Sequence, residues 1–264
     1  MGSATRGALA GTRAELATLG RAELPVAGDL LAATRVIGAT PQLRTALTDN
    51  EAGPDQKRAL VERVFGGRLQ PAAAALLVSA ASQRWSSAED FLGGLEDLGL
   101  RVAAEAAGES VEVDAELYAF QRAVASDAEL ELALGSKLGS TDAKVRLVER
   151  LLAPRASAAT TMIVGHLVQQ PRGRRIGEML RHAASVVADQ RGFDVATVTS
   201  AVPLTDDQVA RLERTLGSQA GRRIRFDSIV DPEVLGGVRV QIGDDVIDGS
   251  VASRLNDLRQ QLAG

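Results

Sequence analysis

The fold of the C-terminal end is decided by the stretch Leu235-Gly-Gly-Val-Arg-Val-Gln-Ile-Gly-Asp-Asp-Val-Ile-Asp-Gly-Ser-Val-Ala-Ser-Arg-Leu-Asn-Asp-Leu258. Its two leading glycines allow a sharp backbone bend, and the alternating apolar side chains of Val238, Val240 and Ile242 predict a strand with one buried face. The Gly-Asp-Asp segment predicts a turn, and the Val-Ile pair after it predicts a short second strand. Apolar residues then recur at helical spacing after a capping Asp-Gly-Ser segment, which predicts a final helix.

Two more strands are predicted upstream of this stretch. Alternation of apolar residues indicates one strand over Val195 to Val202 and another around Ile224 and Phe226. Between them, Thr205 stands at the N-cap of a predicted helix. The order strand, helix, strand, strand, short strand, helix predicts a small α/β domain over residues 193–264.

The first 192 residues contain an internal repeat. The segment Lys57-Arg-Ala-Leu-Val-Glu-Arg-Val-Phe65 aligns with Lys144-Val-Arg-Leu-Val-Glu-Arg-Leu-Leu152, an offset of 87 positions. Both copies have the spacing of short amphipathic helices, which predicts two tandem helical bundles over residues 1–108 and 109–192. The first copy has an extra leading helix, roughly Ser3 to Leu19, which the second copy is expected to lack. The following apolar side chains are predicted to form the core stripe of the matched helix: Leu60, Val61, Val64, Phe65, Leu147, Val148, Leu151 and Leu152.

Composition narrows the possible functions of this mostly α chain. It has 264 residues, of which 45% are apolar and 3% aromatic, so the core must be built from Ala, Leu and Val. Cysteine is absent, which excludes disulfides and cysteine-based metal sites. The net charge of −4 argues against a general nucleic-acid binder. No apolar stretch approaches the roughly 20 residues that a membrane-spanning helix needs.

Several individual residues invite a functional interpretation, and each has a plainer alternative. His166 and His182 lack metal-ligand spacing and are interpreted as ordinary helix residues. The basic run Arg172, Arg174 and Arg175 could bind an acidic partner, but a solvated loop is favoured. Trp85, the sole tryptophan, is interpreted as a packing residue rather than an interface hot spot. No catalytic, cofactor or metal site is predicted.

The C-terminal stretch resembles the signature of the delta subunit of F-type ATP synthases, the bacterial relatives of the mitochondrial oligomycin-sensitivity-conferring protein. The resemblance is carried by Gly-Gly-Val-x-Val, by Gly-Asp, and by Val-Ile-Asp-Gly-Ser-Val followed by Arg254-Leu255. The segment Pro203 to Glu213 is also similar to the family's helix between the first two strands. The duplicated helical region resembles a long, actinobacterial-type version of this family.

The resemblance implies a stator subunit without catalytic activity or cofactor. Its expected partners are alpha subunits of the catalytic head and b subunits of the peripheral stalk, which it links so that the head does not rotate. It is expected at the cytoplasmic face of the bacterial cell membrane, held there only through its partners. An unrelated helical-repeat adaptor and an enzyme of unknown class are the alternatives.

Partner contacts are predicted where apolar faces could receive another helix. Close-packed, alanine-rich helices leave grooves in which an amphipathic partner helix can lie. The candidate contact residues in the helical region and in the third predicted strand are Leu9, Leu16, Leu76, Leu77, Ala80, Ala81, Val238, Val240 and Ile242.

Overall fold

A computed structural model describes residues 2–20, 22–136, 139–220, 223–232, 234, 236–242 and 245–249. Contacts between residues divide the chain into two compact units, Met1–Val187 and Ala188–Gly264. The first unit is helical and the second contains a four-stranded sheet, so the chain is mostly α with a small α/β unit, as predicted. The division of the helical region into two bundles at residue 108 stays a prediction.

Six helices cover the first repeat. Each of the second to fifth begins with Pro at its first or second position, where the missing N–H costs nothing and the fixed φ favours the helix. The sixth is capped by Ser87, whose side chain accepts a hydrogen bond from the backbone N–H of Asp90. The bounds are α1 (Ser3–Thr18), α2 (Leu24–Ala39), α3 (Pro41–Thr48), α4 (Pro54–Phe65), α5 (Pro71–Ser82) and α6 (Ala88–Ala107).

Five helices cover the second repeat, and polar caps replace the prolines at three of their starts. Asp127, Ser140 and Ser157 each accept a hydrogen bond from a backbone N–H of the first turn. The bounds are α7 (Val113–Ser126), α8 (Ala128–Gly135), α9 (Thr141–Leu152), α10 (Ala158–Gln169) and α11 (Ile176–Gln190). The bounds of α8, α9 and α10 are those of α3, α4 and α5 moved by 87 positions at both ends, which confirms the repeat.

The long helix α6 belongs to both repeats. As the last helix of the first repeat it packs against α1, α2 and α5. Moving α1 by 87 positions places it at residues 90–105, inside α6. The contacts agree, because α1 packs on α5 and α6, while α6 packs on α10 and is bonded to α11 through Asp97 and His182. The expectation that the second repeat lacks a leading helix is therefore wrong, since α6 occupies that position.

Lysines at equivalent positions of the two repeats each donate to a backbone carbonyl at a helix end, although the two helix ends are not equivalent. Lys57 is buried and its ammonium group donates to the carbonyl of Ala81 at 2.6 Å, at the end of α5. Lys144, 87 positions later, is also buried and donates to the carbonyl of Ser136 just after α8. A cation at the C-terminal end of a helix satisfies free carbonyls and complements the helix dipole. These are two of the three lysines in an arginine-rich chain.

The helix with the most similar sequence in the two repeats is α4 in the first and α9 in the second. Its predicted apolar stripe lies in the core with one exception. Val61, Phe65, Val148 and Leu152 are buried, and Leu60, Val64 and Leu147 are half-buried. Leu151 is 37% exposed, so its prediction as a core residue is wrong. The buried residues of α9 are Lys144, Val148 and Leu152.

Trp85 is a packing residue, as predicted. It is buried, its indole N–H donates to the carbonyl of Ala80 at 2.8 Å, and its ring lies edge-on to Phe91 with 5.9 Å between centroids. The ring occupies the space that a side chain at Gly94 would need, because a Cβ placed there would come within 2.0 Å of it.

The second unit is a mixed sheet with one helix. Its elements are β1 (Phe193–Ser200), α12 (Asp206–Ala220), β2 (Arg223–Val230), β3 (Val238–Ile242) and β4 (Asp245–Asp248). The strand order is β2-β1-β3-β4; β1 is parallel to β2 and antiparallel to β3, which is antiparallel to β4. Thr205 caps α12 through its hydroxyl, and Gly236 and Gly237 have φ of 79° and 80°, which confirms both sequence interpretations.

The core of the α/β unit lies on one face of this sheet. Val198 pairs with Val240 across β1 and β3, and both are buried together with Ala196 and with Leu216 of α12. Paired residues share a face of the sheet, so the predicted buried face of β3 is confirmed. The predicted turn at Gly243 and Asp244 and the final helix after Asp248 lie outside the described residues.

Candidate functional site

The candidate contact residues of the helical unit are mostly part of its core. Leu16, Leu76, Leu77, Ala80 and Ala81 are buried, so their side chains offer no surface to a partner in this structure. Leu9 on α1 is half-buried. A partner contact through these residues stays a prediction, and for the buried ones it would require the helices to separate.

In the α/β unit, the candidate residues share the inner face of β3. Val240 is buried beneath α12, and Val238 and Ile242 are half-buried at its edges. Their common role in this structure is to pack the sheet against the helix. Whether Val238 and Ile242 also reach a partner stays a prediction.

Within the described residues, the structure brings together no group of three or more His, Cys, Asp or Glu side chains that could hold a metal ion. None of the described helices is long and apolar enough to cross a membrane. The functional interest of the helical unit lies instead in a buried charge cluster, formed where the first repeat meets the second. We call it the Glu96 cluster; its members are Arg35, Glu96, His166, Arg172 and Arg174.

Glu96 of α6 is the centre of this cluster and has no exposed surface. Arg174 donates to both carboxylate oxygens at 2.8 Å, a bidentate pair, and Arg172 forms an ion pair with Oε1 at 3.0 Å. Burial alone raises the pKa of Glu96, but the contacts from His166 and Arg174 and the charge of Arg172 outweigh it, and the pKa falls from 4.5 to about 2. Glu96 is therefore ionised, and it fixes the loop after α10 to α6.

His166 of α10 connects this carboxylate to Arg35 of α2. Arg35 donates to Nδ1 of the ring at 3.0 Å, so this nitrogen must carry a lone pair. The ring is then neutral with its proton on Nε2, which faces Oε2 of Glu96 at 3.5 Å. Burial lowers the pKa of His166; the contact with Glu96 acts in the opposite direction and is the weaker influence.

His182 of α11 has the opposite electrostatic environment. Its Nε2 lies 2.7 Å from Oδ1 of Asp97, the residue that follows Glu96 in α6, and its side chain is 45% exposed. The hydrogen bond with Asp97 raises the pKa of His182, and burial opposes this with a smaller influence. This pair is a second link between α6 and the second repeat.

The cluster corrects one sequence interpretation and explains why it failed. Arg172 and Arg174 were expected in a solvated loop, but they pair with a buried carboxylate 76 and 78 positions earlier in the chain. Nothing in the local sequence of the loop marks this partner. The available signal was Glu96 itself, an acid on the apolar helix segment Phe91-Leu-Gly-Gly-Leu-Glu-Asp-Leu-Gly-Leu100, because a buried carboxylate requires a cation. Both histidines lie in helices, as predicted, although each faces a carboxylate, His166 that of Glu96 and His182 that of Asp97.

Comparison with known proteins identifies a family and several full-length relatives to which this chain is similar. A family model described as ATP synthase delta (OSCP) subunit matches residues 99–262, which begins inside α6 and includes the second repeat. The chain is 51% identical over 265 residues to the ATP synthase subunit delta of Leifsonia xyli subsp. xyli, with 100% of both chains covered. It is 39% identical over 270 residues to that of Streptomyces coelicolor, covering 100% of this chain and 98% of the relative.

A further relative, the ATP synthase subunit delta of Acidothermus cellulolyticus, is 43% identical over 241 residues, and the match covers 88% of that relative's length. Among solved structures, a chain of the Toxoplasma gondii mitochondrial ATP synthase hexamer matches 64% of this chain with a TM-score of 0.45 and 21% identity. The matches to the Leifsonia xyli and Streptomyces coelicolor relatives extend over the whole of this chain, both repeats included.

Proposed function

Because this chain belongs to the ATP synthase delta (OSCP) subunit family, it is a non-catalytic subunit of the peripheral stalk of ATP synthase, and we propose that it links the alpha subunits of the catalytic head to the b subunits of the stalk. In this role the subunit prevents the head from turning with the rotor. Membership of the family excludes the unrelated helical adaptor, and an independent enzymatic activity is not needed to account for any described residue.

The observation that carries this proposal is the presence of two separate compact units on one chain. A linker needs two attachment surfaces, and each unit here has its own hydrophobic core. Joining two binding units can raise the overall affinity by about 10²–10⁴ over one contact when both partners are engaged. We assign the helical unit to the head and the α/β unit to the b subunits, on the cytoplasmic side of the membrane.

Binding experiments with the full chain test this assignment. The two partners are the catalytic head freed of this subunit and the soluble part of the b subunits, each titrated separately by calorimetry. Val240→Asp places a charge in the core of the α/β unit, and Val246→Asp places the same charge on β4, where the side chain is 45% exposed. Val240→Asp should weaken binding to b at least tenfold and leave binding to the head unchanged, while Val246→Asp retains the folded unit.

The proposal is rejected if the unmodified chain binds neither partner, or if Val240→Asp loses the head and keeps the b subunits. The side of the membrane is tested separately with inside-out vesicles that contain the assembled synthase. We expect a protease added outside these vesicles to cut this subunit, since their outer surface is the cytoplasmic face. Protection of the subunit until the vesicles are opened would contradict the proposed location.

A further inference from the structure

A groove with a volume of about 210 Å³ lies between the two repeats. One wall is α2 of the first repeat, and the others are α9 and α10 of the second. A helix about 10 Å across does not fit inside a space of this size, whereas a small molecule does. The lining residues that matter for its chemistry are Gly28, Arg35, Glu149, Thr161, Gly165 and His166.

The guanidinium group of Arg35 is the cation of this groove, and it is half-buried. Its partner in the described part of the chain is Nδ1 of His166, a neutral acceptor, at 3.0 Å. Arginine presents five N–H donors and does not lose its charge in proteins. The group thus has donors to spare and, among the described residues, no carboxylate within ion-pair distance.

The other polar groups of the groove do not compensate Arg35. The hydroxyl of Thr161 donates to the carbonyl of Ser157, and the amide of Gln169 donates to the carbonyl of Gly165, so both bond within α10. Glu149 on α9 is exposed to solvent. The hydrogen-bonding capacity that faces the groove therefore comes chiefly from the guanidinium group.

The full charges that line the groove are those of Arg35 on α2 and of the exposed Glu149 on α9. Behind the neutral ring of His166, the Glu96 cluster adds the guanidinium groups of Arg172 and Arg174 and the carboxylate of Glu96, so these five residues together carry one positive charge in excess. Arg172 and Arg174 both bond to Glu96, so its charge is already shared between two cations. A partly desolvated site with excess positive charge attracts an anion.

Glycine keeps the groove open. A Cβ built at Gly165 meets no atom within 4 Å, because it would stand in the space of the groove. On the opposite wall, a Cβ at Gly28 would lie 3.3 Å from the methyl group of Met162. Gly165 and Arg35 both line the groove, so a larger side chain at residue 165 would take up part of its space.

We propose that this groove binds a small oxyanion, a phosphate or a carboxylate, through the guanidinium group of Arg35. Two parallel N–H···O bonds to such a group are the geometry that arginine favours. The bound anion would join α2 to α10 and so connect the two repeats. This inference is independent of the proposed stalk function and holds for the isolated chain.

The test uses NMR of the full chain at constant ionic strength, with sodium phosphate and sodium succinate as probes and sodium chloride as the reference salt. The chain has two histidines, so the C2 proton of His166 gives a signal that can be resolved and assigned. We expect a saturable shift of this signal with at least one oxyanion and not with chloride. Arg35→Gln should weaken the binding by about tenfold or more, since it removes the charged donor.

A second variant keeps the test decisive if Arg35→Gln does not fold. Gly165→Val fills the groove while the arginine remains, and Gly7→Val makes the same change at an exposed position of α1 where a Cβ also meets nothing. Gly165→Val should abolish the saturable shift and Gly7→Val should retain it. The inference is overturned if no probe gives saturation, if both glycine variants bind alike, or if only an acidic peptide binds.

Discussion

Glu96 shows what one buried carboxylate does for this protein. Its two arginine partners come from one loop, so a single side chain joins that loop to the helix shared by both repeats. The ionised form is favoured down to a pKa of about 2. Its contribution to stability is therefore complete above the ordinary pKa of about 4.5 and is lost as the pH falls from there toward 2.

We expect Glu96→Gln to lower the free energy of unfolding by about 3 kcal/mol, because it removes the buried charge that pairs with the partly buried guanidinium groups of Arg172 and Arg174. Urea unfolding followed by the fluorescence of Trp85 measures this, since Trp85 lies in the helical unit. The matched control is Glu89→Gln, which removes an exposed partner of Arg44 on the same helix and should cost less than about 1 kcal/mol. Equal losses in the two variants would contradict the central role of Glu96.

The two histidines are predicted to titrate on opposite sides of the ordinary value of 6.5. Burial lowers the pKa of His166, while the hydrogen bond with Asp97 raises the pKa of His182. The measurement is the pH dependence of their two C2-proton signals in NMR, assigned with His182→Gln. Reversed midpoints, or two midpoints at the ordinary value, would show that the environments are not as described.

The same shifts make opposite contributions to stability. The unfolded chain binds a proton at His166 near pH 6.5 and the folded chain does not, so this residue lowers the stability of the helical unit as the pH falls below about 6.5. His182 contributes stability that is fully present below about 6.5 and is lost as the pH rises through its raised pKa. Comparing unfolding of His166→Gln and of the unmodified chain at pH 5 and 7 isolates the first contribution, which should shrink in the variant.

At the scale of helices, α6 is held against the loop before it by a contact that tolerates no extra atom. Gly94→Ala places a methyl group about 2 Å from the ring of Trp85, so either the ring or the helix must move. We expect a loss of about 1–3 kcal/mol or more in stability. Gly93→Ala is the matched control one position earlier, where the atom nearest to the added methyl group belongs to the Arg172 guanidinium, at 3.8 Å. This variant should raise the free energy of unfolding by about 0.5–1 kcal/mol, because alanine favours a helix more than glycine does.

Thermal unfolding of these two variants, read by circular dichroism, should therefore move in opposite directions. A similar melting temperature for both would indicate that Trp85 can leave its position without loss. The difference between Gly94→Ala and Gly93→Ala would also separate the cost of the clash with Trp85 from the general preference of helices for alanine.

Elements with local signals were predictable from the sequence, and contacts between distant segments were not. The cap at Thr205, the bend at Gly236 and Gly237, and the alternation in β3 all act within a few residues, and the structure confirms them. The pairing of Arg174 with Glu96 spans 78 positions and leaves no mark on its neighbours in sequence. The double role of α6 was also hidden, because α1 and α6 occupy equivalent positions without similar residues.

At the scale of the whole molecule, the two units are predicted to unfold separately. Val240→Asp puts a charge into the core of the α/β unit and should destabilise that unit by several kcal/mol. Hydrogen exchange measured by mass spectrometry should show lost protection in β1 and β3, while the urea transition of Trp85 stays unchanged. A shift of the Trp85 transition of the same size would mean that the units unfold together.

The shared helix also limits how this chain can be shortened. A cut at residue 108 would take Glu96 and Asp97 away from Arg172, Arg174 and His182, and so would deprive the second repeat of its ionic anchors. Any trimmed version that keeps this repeat intact has to start no later than residue 88, where α6 begins. The boundary between the repeats therefore lies within a helix, because α6 is both the last helix of the first repeat and the first helix of the second.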